Sequence, residues 1–244
     1  MSAEQIGAAA GILIAAYFLR GITGFGSGLI SVPLLALFLP LTFVVPMVLL
    51  LDFTASLVMG GVNRQHVRWR ELLILLVPSV VGVGLGTHLL VSLPQTPMLV
   101  GLAIFVLLFA IKSLLNIHGD KPISQAWAMP AALAGGTVGG LFGTGGPPYV
   151  VYLSHRIRDK SVLRATLSIL FFVEGLARII TFIVAGLLMS REIWIAYLAG
   201  LPIVLGALYA GGRVHHGMSA ARMERLIGAL LLISSISLLI KAFS

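Results

Sequence analysis

The sequence predicts an all-α, polytopic membrane protein, and two observations carry that prediction. Of its 244 residues, 59% are hydrophobic and only 10% are charged, with a mean hydropathy of +1.07. An ordinary soluble domain has about 25% charged residues. Apolar segments also follow one another along nearly the whole chain, joined by short polar connections. We therefore expect one membrane domain over residues 1–244, in the cytoplasmic (inner) membrane.

The net charge of +8 does not point to nucleic acid, because the basic residues lie in short connections between apolar segments. The chain has no cysteine, which excludes disulfides and thiolate metal sites. The pair His215-His216 has no acidic or cysteine companions, so no metal site and no cofactor are expected. The N-terminus carries Glu4 and lacks the basic region of a cleaved signal peptide, so it is expected to be retained.

The first half of the chain contains two short apolar pieces, separated by glycines, and then longer segments. The short pieces cover about 6–19 and 29–39. Helices of about 11 to 15 residues reach only about 16 to 22 Å, less than the roughly 30 Å of hydrocarbon core. Neither piece is therefore expected to span the membrane alone. The longer segments cover about 43–62, 72–93 and 98–116.

The same order of segments returns after a polar linker at about 117–124, which predicts an internal repeat. Repeat 1 covers about 1–116 and repeat 2 about 125–244. The sequence Phe25-Gly26-Ser27-Gly28 aligns with Phe142-Gly143-Thr144-Gly145, and Asp52 falls near Glu174. The second half has short pieces at about 126–141 and up to 153, and long segments at about 163–189, 193–212 and 223–243.

Basic connections orient the segments, because short cytoplasmic loops are rich in Lys and Arg. Placing all the basic connections inside makes each broken pair a re-entrant hairpin and puts both termini outside. A re-entrant hairpin enters and leaves the membrane by the same face, so each repeat crosses the membrane only through its three long segments. Because three is an odd number, the second repeat is inverted relative to the first. The rival topology, in which the broken segments also cross the membrane, remains open. The basic connections are 63–70, 112–121, 155–164 and 213–225.

The paired glycine-rich breaks predict an anion-binding site. Unwound backbone inside a membrane survives only where protein or a polar cavity surrounds it, and the N-terminus of the next helix favours an anion. Close helix packing is the alternative for these glycines, and it is preferred for Gly82, Gly84 and Gly86. The candidate binding residues are Gly24, Gly26, Ser27 and Gly28 in the first break, and Gly143, Thr144, Gly145 and Gly146 in the second.

Ionisable residues within apolar segments are further candidates, since each is costly in a bilayer unless paired or hydrated. Asp52 is either a proton or cation carrier or the partner of an arginine such as Arg20 or Arg178. Glu174 and Arg178 have the spacing of an intrahelical ion pair. Alternatively, Arg178 binds the substrate while Glu174 holds it or accepts a proton. Arg20 beside the first break either helps to hold an anion or extends to the lipid headgroups.

At these residues the chain resembles the sulfite exporter TauE/SafE family of membrane permeases. The resemblance rests on the two halves and on the motif Gly24 to Gly28, with the variant Phe142 to Pro148 in the second half. It implies transport of small sulfur-containing anions such as sulfite or sulfonates, driven by an ion gradient.

The predicted function is therefore a secondary transporter and not an enzyme, with a small anion held at the midplane between the two breaks. Its expected partners are that anion, membrane lipid and a coupling proton or cation, but no nucleic acid. Substrate identity, direction and oligomeric state remain open. One alternative is a passive anion channel, which needs neither Asp52 nor Glu174. Another is an intramembrane serine protease that uses Ser27 with His88.

Overall fold

The computed structural model describes residues 2–24, 26–59, 66–114, 123–213 and 220–243. Phe25, His215-His216, most of the 117–124 linker and parts of the basic connections lie outside these ranges. Within them the chain is helical and contains no β-strand. The helices are α1 (Ala3–Thr23), α2 (Ser27–Leu35), α3 (Leu41–Met59), α4 (Trp69–Ser92), α5 (Gln95–Leu114), α6 (Ala128–Phe142), α7 (Gly146–Arg156), α8 (Lys160–Val184), α9 (Arg191–Arg213) and α10 (Ala220–Phe243).

The all-α membrane fold predicted from the sequence is confirmed. Within the described part of the chain, 6 helices are long and apolar enough to cross a membrane by length and composition. The long segments predicted in each half appear as α3 to α5 and α8 to α10, with ends within a few residues of the expected positions. The inverted orientation of the two repeats and the side on which each connection lies stay predictions.

The predicted length of the first helix is wrong. Helix α1 has 21 residues and continues through Arg20 and Gly21 to Thr23, so it is one of the candidate spans. At its start the Ser2 side chain caps the helix reciprocally with Gln5, which extends it beyond the apolar stretch. At its end Arg20 has an ion-pair partner inside the protein, so its charge does not end the helix. The other short helices, α2, α6 and α7, have 9, 15 and 11 residues, as short as expected.

The helices group into two compact units that do not follow the predicted repeats. Unit 1 comprises Met1–Ala55, Leu93–Ile117 and Ser190–Ser244, and unit 2 comprises Ser56–Ser92 and His118–Met189. Unit 1 therefore contains the first glycine break together with α9 and α10 from the second half. Unit 2 contains the second break together with α4 from the first half. The single-domain assignment and the repeat boundaries stay predictions.

In unit 1, α1 packs against α9 through glycines that bring the two backbones together. A Cβ atom on Gly21 would lie 2.5 Å from the carbonyl oxygen of Leu208, and a Cβ on Gly211 would overlap the Phe18 carbonyl. Any larger residue would force the helices apart, as in other small-residue helix contacts. This packing fixes the end of α1 that leads into the first break.

In unit 2, α4 packs against α6 in the same manner. A Cβ atom on Gly82 would lie 2.5 Å from the carbonyl oxygen of Leu133, and one on Gly86 would overlap the Thr137 carbonyl. Gly136 and Gly140 of α6 meet the α4 backbone equally closely. The packing role predicted for Gly82 and Gly86 is confirmed, whereas that predicted for Gly84 is wrong, because nothing lies within 4 Å of its Cβ position. Each break thus begins at the end of a helix held rigidly by glycine contacts.

Candidate functional site

The first break lies between α1 and α2 in unit 1. Gly24 ends α1 with a φ of 87°, and Gly26 precedes α2 with a φ of 94°. Both angles lie in the left-handed region, where glycine is tolerated without strain. Ser27 is the first residue of α2 and Gly28 the second, and both are buried. The serine hydroxyl therefore lies at the positive end of a short helix.

Three donors around this break converge on one oxygen atom. Asp52 Oδ1, from α3, accepts hydrogen bonds from Tyr17 Oη, Arg20 Nη1 and Ser27 Oγ, each at 2.6 Å. Arg20 Nη1 also donates to Ser27 Oγ at 2.9 Å, and Arg20 Nη2 donates to the backbone carbonyl of Asp52 at 3.2 Å. Of the two predicted roles for Asp52, the partner of Arg20 is therefore observed.

The Arg20 side chain turns into the protein. It is only 8% exposed, and its guanidinium lies 5.9 Å from the centroid of the Tyr17 ring. The alternative in which Arg20 extends to the lipid headgroups is therefore wrong, because an ion pair and a serine hydroxyl hold it inside unit 1. The Ser27 hydroxyl donates to Asp52 and accepts from Arg20. His88, the base that the serine-protease alternative requires, lies in unit 2 on α4, where its side chain is exposed, and that alternative stays a prediction.

The second break lies between α6 and α7 in unit 2. Gly143 ends α6 with a φ of 69°, and its N–H donates to the carbonyl of Gly139 at 2.9 Å. Helix α7 begins at Gly146 and carries Pro147 and Pro148 in its first turn, where a missing N–H costs nothing. Thr144 lies between the two helices, and only 4% of its surface is exposed.

Two charged residues of α8 face this break from within unit 2. Glu174 is 1% exposed and Arg178 is 8% exposed. Glu174 Oε1 lies so close to the backbone that a Cβ atom on Gly139 would collide with it, and one on Gly145 would lie 2.9 Å away. Glycine at these two positions is therefore what lets the carboxylate approach. Arg178 Nη1 lies 3.5 Å from the Gly139 carbonyl oxygen, at the outer limit of a hydrogen bond.

Three polar atoms of this cluster are buried away from any hydrogen-bond partner in the described part of the chain. Thr144 Oγ1, Glu174 Oε1 and Arg178 Nε are buried, and none has a hydrogen-bond partner among the described residues. The ion pairs within 4 Å in that part of the chain are Arg20–Asp52 and Arg156–Glu71. The intrahelical Glu174–Arg178 ion pair is therefore wrong. The carboxylate is drawn against the glycine backbone of the break, and Arg178 reaches toward the Gly139 carbonyl instead.

The structure also contains polar contacts that the sequence analysis did not single out. Tyr17 precedes Arg20 by three residues on α1, a spacing that places both on one helix face and could have identified it. In unit 2, Arg156 donates to Glu71 Oε1 through Nε at 3.0 Å and Nη2 at 2.6 Å, and Tyr152 donates to Glu71 Oε2 at 2.7 Å. These bonds join the end of α7 to the start of α4. No sequence signal reveals them, because the partners are more than 80 residues apart.

The predicted binding residues therefore form two clusters, one in each unit. Arg20, Ser27 and Asp52 meet in unit 1, whereas Thr144, Glu174 and Arg178 surround the break of unit 2. That both breaks hold one substrate together stays a prediction. No group of three or more His, Cys, Asp or Glu side chains that could hold a metal occurs among the described residues.

Long apolar helices and buried polar helix breaks are features of a multi-pass membrane transport protein. The particular family follows from comparison with known sequences: the chain belongs to the Sulfite exporter TauE/SafE family, whose sequence model matches residues 8–238. A curated relative from Comamonas testosteroni, "Probable inner membrane transporter protein TsaS", is 28% identical over 195 residues. The match covers 79% of this chain and 81% of the relative. No solved structure matches. The protein is therefore a membrane permease of this family, in the inner membrane.

Proposed function

We propose that this permease is a secondary transporter of a small sulfur-containing or organic anion, such as sulfite or a sulfonate. We further propose that the second break binds that anion. One observation carries the proposal: Thr144, Glu174 and Arg178 each bury a polar atom that has no hydrogen-bond partner among the described residues, beside an interrupted helix. Each such atom costs about 1–3 kcal/mol, and more when the group is charged. A site built for an oxyanion accounts for that cost, and the family name points to sulfite.

The donors at this break suit an oxyanion. Arg178 offers a planar guanidinium whose paired N–H groups match two oxygens of a sulfite, sulfonate or carboxylate group. The Thr144 hydroxyl adds a neutral donor. The N-terminus of α7 begins at Gly146, so the positive end of its dipole favours the same charge. The two prolines that follow cannot donate, which leaves the glycine amides before them as the backbone donors.

In the proposed transporter, Glu174 couples the binding of the anion to the binding of a proton. Its carboxylate lies against the same break and on the same helix as Arg178, so an anion bound there meets a second negative charge. Like charges at close range in a buried site cannot both be ionised without cost. Anion binding is therefore strongest when Glu174 carries a proton, and each anion moves together with one proton. The coupling role of Glu174 distinguishes this transporter from a passive channel.

Sulfite flux into proteoliposomes tests the proposal. We expect Arg178→Gln to reduce uptake at least 10-fold and Thr144→Val to reduce it several-fold, because each removes a donor to the anion. The matched controls are Arg191→Gln, an exposed arginine at the start of α9, and Thr137→Val, whose hydroxyl donates to the Leu133 carbonyl of its own helix. The proposal fails if Arg178→Gln and Arg191→Gln transport alike.

The same vesicles distinguish transport from conduction. An imposed pH gradient should drive sulfite accumulation in wild type, while Glu174→Gln should exchange sulfite without responding to the gradient. A passive channel would show conductance that ignores the pH gradient in both proteins. That result would be compatible with anion binding at the second break but would show that Glu174 does not couple transport to protons.

A further inference from the structure

We propose that helix α7 is a gate in unit 2, and that the ion pair between Glu71 and Arg156 is the latch that holds it closed. The gate stands between the second break and the end of unit 2 at which α4 begins and α7 ends. The connections at that end, 63–70 and 155–164, are predicted to be cytoplasmic. The inference rests on the proposed function for what passes the gate, whereas its opening can be measured without any anion.

An apolar cluster lies between the second break and that end of unit 2. On α4, Leu72 and Leu75 come directly after Glu71, and both are buried. On α8, Leu167 and Leu170 come before the charged residues that face the break, and they pack in the same cluster. Closely packed apolar side chains exclude water and ions. An anion at the break is therefore blocked from that end while the cluster stays closed.

Helix α7 is held on α4 by the tips of long side chains. Arg156 donates to Glu71 Oε1 through Nε at 3.0 Å and Nη2 at 2.6 Å, and Tyr152 donates to Glu71 Oε2 at 2.7 Å. One turn earlier, Tyr149 Oη lies 2.7 Å from Ser79 Oγ. These three residues of α7 are spaced by three and four, so they share one helix face. Bonds between side-chain tips can separate without disturbing either backbone, unlike the glycine contacts that join α4 to α6.

The other end of α7 has the features of a hinge. The helix follows Gly143, whose φ of 69° lies in the left-handed region, and then Gly145 and Gly146. Glycines and short loops readily absorb the backbone rotations of a moving element. Helix α7 has only 11 residues, and Ile157 after it is in an extended conformation. A short helix with a glycine-rich hinge at one end and a latch at the other can swing away from α4 as one piece.

The exposure of the two latch residues suits a contact that opens. The Arg156 side chain is 28% exposed, whereas that of Glu71 is 6% exposed. Arg156 also donates to the carbonyl of Ile123 at 3.3 Å, so it has a second partner at the same end of unit 2. Buried charges are costly unless they are paired or hydrated. Opening replaces the pairing of Glu71 by water, so the latch favours the closed state without making it permanent.

Thiol labelling of a buried reporter tests the gate without any substrate. The chain has no cysteine, so Leu75→Cys places a single thiol in the apolar cluster. A charged maleimide should label it slowly in the purified protein. Adding Glu71→Gln should raise the rate about 10-fold or more, because the charge-assisted hydrogen bonds of the latch are lost. Glu192→Gln is the matched control, an exposed carboxylate in the first turn of α9, and it should leave the rate unchanged.

A second reporter distinguishes an opening gate from a general loss of stability. Val83→Cys lies on the same helix as Leu75, but among the glycine contacts between α4 and α6, where it is fully buried. Glu71→Gln should not speed its labelling. Equal acceleration at both reporters, or no acceleration at Leu75→Cys, would overturn the inference. Should Leu75→Cys not fold, Leu170→Cys reports on the same cluster from α8.

Reversible cross-linking tests whether the gate must open for transport. In Glu71→Cys/Arg156→Cys, a bifunctional methanethiosulfonate that spans the former ion pair should reduce sulfite uptake about 10-fold or more, and a reductant should restore it. The control is Thr87→Cys/Thr181→Cys, which replaces two hydroxyls 3.2 Å apart on α4 and α8, and its uptake should not change on cross-linking. Unchanged uptake after complete cross-linking of the latch would contradict the inference. If wild type takes up no sulfite, the proposed function fails, and the labelling rates decide whether α7 opens.

Discussion

The two helix breaks contain the same kinds of groups in two different arrangements. Each has a hydroxyl at the interruption, Ser27 or Thr144, together with a carboxylate on the following long helix and one arginine. In the first break the arginine comes from α1, and it bonds to the carboxylate of α3. In the second break, arginine and carboxylate share α8 and make no ion pair with each other within the described chain. The same kinds of groups therefore form an ion pair in unit 1 but not in the described part of unit 2.

The position of the arginine explains the difference. Arg20 extends from α1 toward α3, so its guanidinium reaches the Asp52 carboxylate. Arg178 follows Glu174 by four residues on one helix, but the carboxylate lies against Gly139 and Gly145 of the break. Unsatisfied buried groups reduce stability, and proteins retain them mainly where a ligand completes them. We therefore expect the first cluster to matter mostly for stability and the second mostly for binding.

The largest difference between the two breaks is expected when the arginine of each is removed in turn. Arg20→Gln removes the guanidinium that forms an ion pair with the Asp52 carboxylate and should lower the free energy of unfolding by about 3 kcal/mol. Arg178→Gln removes only a hydrogen bond at its outer limit, so stability should stay within about 1 kcal/mol of wild type. Thermal unfolding in detergent measures both. If Arg178→Gln proved the more destabilising of the two, the roles assigned to the clusters would be reversed.

A glycine substitution at the second break tests whether the position of the Glu174 carboxylate affects transport. A Cβ atom on Gly139 collides with Glu174 Oε1, so Gly139→Ala must displace the carboxylate from the break. We expect sulfite uptake to fall about 10-fold, since displaced catalytic or binding groups typically cost that much or more. Gly84→Ala is the control, because Gly84 lies in the same unit with nothing within 4 Å of its Cβ position. Normal uptake by Gly139→Ala would show that the carboxylate position is unimportant.

The fold could be predicted from the sequence to a large extent. Hydropathy and segment length placed the long helices, because a segment that crosses hydrocarbon must be both apolar and about 20 residues long. The prediction was wrong at α1, where Arg20 and Gly21 look like the end of an apolar stretch. Arg20 is neutralised by Asp52, and Gly21 meets the α9 backbone, so both continue the helix. Neither contact is visible in a local window of sequence.

The residue types of the candidate sites were predicted, and a pairing of Asp52 with Arg20 was one of the alternatives left open. The glycine motifs identified both breaks, and their charged neighbours were recognised as functional candidates. The spacing of Glu174 and Arg178 suggested an ion pair, because that rule describes an isolated helix in water. Tertiary contacts with Gly139 and Gly145 override it here. That Asp52 pairs with Arg20, and that Tyr17 joins the same cluster, depends on the approach of α3 to α1, which a local window of sequence does not show.

A smaller effect is expected from single donors in the first break. Tyr17→Phe removes one of the three hydrogen bonds to Asp52 Oδ1 and should lower stability by about 1 kcal/mol. Tyr197→Phe is the matched control on α9, since its hydroxyl bonds to Thr54 rather than to the cluster. Equal stability of Tyr17→Phe and wild type would show that the hydrogen bond to Asp52 does not contribute.

The smallest effect concerns the start of α8, the helix that carries Glu174 and Arg178. Asp159 caps this helix, and hydrogen bonds from the backbone N–H groups of Val162 and Ser161 lower the pKa of its carboxyl group. A lowered pKa in the folded state gives stability that is present above the unfolded value of about 3.9 and is lost as pH falls through the folded value. Asp159→Asn keeps a cap and should flatten the melting temperature between about pH 5 and 3 relative to wild type. An unchanged pH profile would show that the cap does not contribute.

The central claim is that the second break binds the transported anion while the first is neutralised by the protein itself. Equilibrium binding of radiolabelled sulfite to the purified protein near neutral pH tests it most directly. Wild type should bind one sulfite, Arg178→Gln should bind it at least 10-fold more weakly, and Arg191→Gln should match wild type. Sulfite binding by Arg178→Gln with wild-type affinity would contradict the claim.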